Sequence, residues 1–133
     1  MPTALPPLPT VWEQAVERYV SIEPQHYLAS FNVRVLQVLR PRWGERLRVN
    51  TSMFRLIFTR PDEHHYNDDE VEWVYAELVD AARVEMALVR RVDRKSLDRP
   101  GGEGAVAGNF ARPENVLPAL EALLWQLAEP ESR

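Results

Sequence analysis

Few groups in this chain could do chemistry. Its 133 residues contain no cysteine, so disulfides, thiolate zinc sites, cysteine-held iron–sulfur clusters and thiol nucleophiles are excluded, leaving hydroxyl, carboxylate, imidazole and amine chemistry. The densest gathering of such groups is Asp62, Glu63, His64 and His65 followed by Asp68 and Asp69, types that can ligate a divalent cation. Neighbouring histidines point to opposite faces of a strand, however, and no two histidines stand one helical turn apart. A polar loop entering a helix N-terminus accounts for all six residues, and no metal site is assigned. Ser21, Ser30, Ser52, Ser96 and Ser132 lack a nucleophile-elbow context, and His26 lies in a polar stretch that offers no triad. Gly101, Gly102, Gly104 and Gly108 lack the Lys-Ser/Thr of a phosphate loop. The expectation is a protein that is not an enzyme and carries no cofactor.

Charge is distributed in blocks. Residues 34–60 hold seven arginines against one acid, 61–82 hold eight acids and no base, and 83–99 hold six bases against three acids. One reading makes the first block an electropositive face for nucleic acid, with Trp43, Phe54 and Phe58 as stacking platforms; its candidate residues are Arg34, Arg40, Arg42, Trp43, Arg46, Arg48 and Arg55. The competing reading pairs these arginines with the acidic block next door, neutralising both inside one fold. The net charge of −4 favours the second. Pro61-Asp62 with Asp93-Arg94-Lys95 loosely resembles the two halves of a restriction-type nuclease motif, which implies metal-held carboxylates on neighbouring strands. Here the spacing puts a helix between the halves.

The elements that must position these groups follow from periodicity. Residues 1–9, with prolines at 2, 6, 7 and 9, read as an extended arm. Thr10 and Glu13 form a capping box, and Trp12, Val16, Tyr19 and Val20 recur at helical spacing, predicting a helix over 10–22. Tyr27, Leu28, Phe31, Val35, Leu36 and Leu39 suit a helix face, yet Ser30 to Val35 alternates like a strand; the preferred expectation is a meander at 31–39, 45–50 and 53–59. Asn67 as cap and the stripe Val71, Val74, Tyr75, Leu78, Val79, Ala82 and Met86 predict a long central helix from 68 to about 92, with 84–92 as a strand in the alternative. The segments before and after the glycine-rich stretch 98–108 can pair as a hairpin, which resembles the wing of a winged-helix regulator and implies a mostly helical alternative fold. The acidic first half of the helix preceding it has the wrong sign for a recognition helix. Asn115 and the face Val116, Leu117, Leu120, Leu123, Leu124 and Leu127 predict a C-terminal helix that ends before Pro130.

The reading is one α+β domain over 10–128, a short antiparallel sheet packed with N-terminal, central and C-terminal helices, flanked by the arm and a tail at 129–133. No apolar run approaches the roughly 18–20 residues of a membrane span, residues 1–9 lack the basic and apolar regions of a signal helix so none is expected, and a cytoplasmic location is expected. The expected function is a protein-interaction module, an adaptor or complex subunit that binds a protein partner or itself through Trp12, Tyr19, Leu120, Leu124 and Trp125. An arginine-mediated nucleic-acid binder is the alternative.

Overall fold

In a computed structural model, residues 7–22, 26–61, 72–90 and 105–130 are described. Two helices, α1 (Leu8–Val20) and α2 (Tyr27–Trp43), precede five strands: β1 (Arg48–Ser52), β2 (Arg55–Thr59), β3 (Glu72–Asp80), β4 (Arg83–Arg90) and β5 (Ala105–Ala111). A 3-10 turn at Pro113–Asn115 then leads into α3 (Val116–Ala128). The strands form one antiparallel meander in sequential order, with β1 and β5 at its edges. The α+β class is therefore what the chain adopts, and the mostly helical, winged-helix-like alternative is set aside.

Both terminal helices follow their apolar stripes. Pro7 stands at the N-cap of α1 and Pro9 falls in its first turn, where a missing N–H costs no bond. Thr10 therefore lies inside the helix and not at its cap, and residues 8–9, expected in the arm, are helical. Trp12 anchors α1: it is fully buried, and its Nε1–H donates to the Leu47 carbonyl at 2.9 Å.

Two expectations are corrected. Residues 31–39 are the middle of α2, not a strand. The β-branched alternation there is overridden by a wide apolar face of Phe31, Val33, Val35, Leu36, Leu39 and Trp43, and the His26 side chain caps the helix by accepting from the Leu28 N–H at 3.3 Å. The central helix over 68–92 is absent from its described part: 72–90 form the β3–β4 hairpin. Trp73 to Ala76 are buried without alternation because this central strand is covered on both faces, so its run carries no period of two. The turn is made by Asp80, whose carboxylate accepts from the Ala82 N–H at 2.8 Å, in an Asx-type geometry that the helix-favouring alanines at 81 and 82 conceal. Asp62 to Glu70 and Asp93 to Lys95 lie outside the described residues.

Antiparallel register sorts the side chains to two faces. Val49, Leu56, Phe58, Val74, Ala76, Leu78, Val84, Met86 and Leu88 join the helices in the main core. Ile57, Trp73, Tyr75, Ala87 and Val89 form a second buried cluster on the other face. The expected pairing of basic and acidic blocks occurs, but between strands. Arg55 and Glu77 are register partners bridged at 2.9 Å, and buried Glu72 receives Arg60 at 3.0 Å and Arg90 at 3.2 Å. Arg60 also donates to the Leu127 carbonyl at 2.8 Å, tying the sheet to the end of α3.

Candidate interaction surface

The proposed arginine face does not assemble. Arg48 is buried, and its Nε and Nη2 donate to the Pro61 carbonyl; burial pulls its pKa below the ordinary guanidinium value. Arg55 is held by Glu77 and lies over the Tyr75 ring at 4.4 Å. Arg42 bridges α2 to α3 through Glu121 at 2.8 Å, and Arg46 covers the Trp125 ring at 5.1 Å. Trp43 is fully buried in an edge-on contact with Trp125, so it presents no stacking face, a correction to its assignment. Arg34 and Arg40 stay exposed on α2 and form no ion pair among the described residues. Two residues apart on a helix, Arg40 and Arg42 point about 200° apart, so they cannot line one groove.

The expected protein interface is likewise corrected. Trp12, Tyr19, Leu120 and Leu124 are core residues with at most 1% exposure, because the stripes they belong to face the sheet. Only Trp125 reaches the surface in part, under Arg46. Beside it an open cleft of about 600 Å³ runs between α2 and α3, lined by Val38, Pro41, Leu117 and Pro118 and by the Arg42–Glu121 bridge.

Apolar surface is instead displayed where α1 ends, α2 begins and β1 turns into β2. The two-residue turn is Met53-Phe54. Met53 has φ of 55°, the one left-handed non-glycine backbone among the described residues, and is 77% exposed. Its carbonyl accepts from the Tyr19 hydroxyl at 2.7 Å, and the Phe54 carbonyl accepts from Nδ2 of buried Asn32 at 3.0 Å. One clamp comes from α1 and the other from α2, so the helices hold the turn in its strained form. Burial pushes the Tyr19 phenol up from its ordinary value, keeping the hydroxyl a donor.

A run of rings extends from this turn. Tyr19 stacks with Phe54 at 6.1 Å, Phe54 with His26 at 4.6 Å, and His26 with Tyr27 at 5.7 Å. Tyr27 is 57% exposed and Ile22, at the end of α1, is 38% exposed. Sequence reasoning placed Met53 and Phe54 at the start of a strand, since neither residue type announces a turn. The one available signal was the flanking alternation on both sides of them.

This surface is built around the Met53 turn. Its groups are a thioether, three aromatic rings and one imidazole, and the imidazole Nδ1 is engaged at the helix cap. Among the described residues no three His, Asp or Glu side chains gather as a metal set, and no described helix is long and apolar enough to cross a membrane. In comparison with known proteins, the chain matches no family model, no curated relative and no solved structure.

Proposed function

We propose that this protein is a non-enzymatic interaction module, an adaptor or complex subunit, that docks a protein partner on the surface formed by Met53, Phe54, His26 and Tyr27. The observation that carries this reading is the Met53 turn. A left-handed non-glycine residue costs on the order of 1–2 kcal/mol, and such outliers persist where surrounding structure holds them, typically at binding or catalytic positions. Here two buried side chains supply the hold, and the product is a methionine pushed into solvent. Methionine is unbranched and polarisable and adapts to irregular apolar partners, while the stacked rings beside it offer rigid contact area.

The test is a photo-crosslinking amino acid placed at position 53, with position 14 on the exposed face of α1 as control. In lysate of the source cell, position 53 is expected to give a discrete protein adduct that position 14 does not. Adducts of equal intensity at both positions, or adducts to nucleic acid alone, would refute this reading.

A further inference from the structure

The outer edge of the sheet at β5 carries no charge and no proline to deter pairing, and a register shift against β4, between Leu88 and Val89, lies at its N-terminal end. Solvent-facing edge strands are usually blunted by lysine, proline or an inward charge, since their free N–H and C=O groups template further strands. β5 reads Ala-Val-Ala-Gly-Asn-Phe-Ala over 105–111, with no charged residue and no proline. Gly108 and Asn109 are exposed, Phe110 is 54% exposed, and among the described residues no strand lies beyond β5. In the single chain the Phe110 N–H donates to Oδ1 of its neighbour Asn109 at 3.0 Å, a local substitute for a missing strand carbonyl. The opposite edge differs: β1 carries the charge of Arg48, and α1 packs along it.

We infer that β5 pairs antiparallel with β5 of a second copy of this chain, joining two sheets into one continuous ten-stranded sheet across a two-fold axis. Self-pairing is favoured over a foreign strand by the symmetry of the segment. With the axis at Gly108, the central residue of the seven, Ala107 stands opposite Asn109 in the regular part of the strand. Glycine meets glycine at the axis, and no like charges are brought face to face, as an isologous contact requires. Arg83, which lies 4.2 Å from the Phe110 ring, remains on the sheet face outside the hydrogen-bonding edge. This contact is separate from the Met53 surface, so a dimer and a docked partner can coexist.

The test is the solution mass of the full chain by light scattering across a wide concentration range, for wild type and for G108K, G108V and M53G. A Cβ at position 108 would meet the Met86 carbonyl at 3.6 Å and the Ala87 Cβ at 3.7 Å, ordinary contacts that let both glycine variants keep the chain's own fold, which circular dichroism checks. Wild type, G108V and M53G are expected to reach twice the 15.4 kDa chain mass. G108K, which sets two ammonium groups opposite each other at the axis, is expected to weaken association by about tenfold or more. A wild-type chain that stays monomeric throughout would overturn the inference, as would a G108K chain that dimerises as wild type does. A dimer lost in M53G and kept in G108K would move self-association to the other surface.

Discussion

Replacing Met53 with glycine is expected to stabilise the protein while removing its ability to dock a partner. The left-handed backbone at φ of 55° costs a side-chain-bearing residue about 1–2 kcal/mol, and glycine escapes that cost. Glycine gives back about 0.5–1 kcal/mol through the greater freedom of the unfolded chain. Because the Met53 side chain is 77% exposed, little burial is lost, and a net gain of roughly 0.5–1 kcal/mol remains. For a chain of this size that corresponds to a melting temperature about 2–4 °C higher. M53A separates backbone from side chain, since it removes the thioether and keeps the strain. Urea and thermal unfolding of the three proteins should rank glycine above both wild type and alanine, with alanine near wild type. An alanine variant as stable as the glycine variant would mean that the turn stores no strain, and the reasoning from strain to function would fall with it.

Y19F should cost about 1 kcal/mol by leaving the Met53 carbonyl without its donor, measured by urea unfolding. Because the folded-state pKa of Tyr19 is raised above the ordinary value of 10.0, its contribution is full below pH 10 and is lost as pH climbs through the folded value, so the wild type should lose more stability than Y19F on alkaline titration. W12F should cost about 1–3 kcal/mol, since the buried Leu47 carbonyl loses the indole N–H. E72A should cost about 2 kcal/mol by denaturant unfolding, less than a fully buried pair because Arg60 and Arg90 keep partial access to water, whereas R112A, which breaks an exposed and solvent-screened pair, should leave the unfolding midpoint unchanged.

How much of this was legible in the sequence depends on how one-sided each element is. α3 reads directly from Val116, Leu120, Leu123, Leu124 and Leu127, because one stripe faces the sheet and the rest faces solvent. The β4–β5 pairing was legible as a hairpin around the glycine-rich stretch, and its register sets Ala87 opposite Gly108. β3 was not legible, since burial on both faces erased alternation and left a spacing that a helix also satisfies. α2 was hidden for a related reason: a helix wedged among other elements buries so many positions that Phe31, Val33 and Val35 imitate a strand. The interface residues were misplaced because aromatic and leucine stripes mark what is apolar and not which apolar groups remain outside. Met53 was invisible as a turn because its conformation is imposed by Tyr19 and Asn32, which lie 34 and 22 residues from the carbonyls they hold.

The central claim is that partner binding resides in the strained Met53 turn and not in the surface arginines. Its most direct test is a quantitative pull-down from source-cell lysate with immobilised wild type, M53G and the double variant R34A/R40A. The account predicts a specific protein partner retained by wild type and the arginine variant and lost by M53G, whose fold is the more stable of the three. Retention of every bound component by M53G, together with its loss from the arginine variant, would contradict the account.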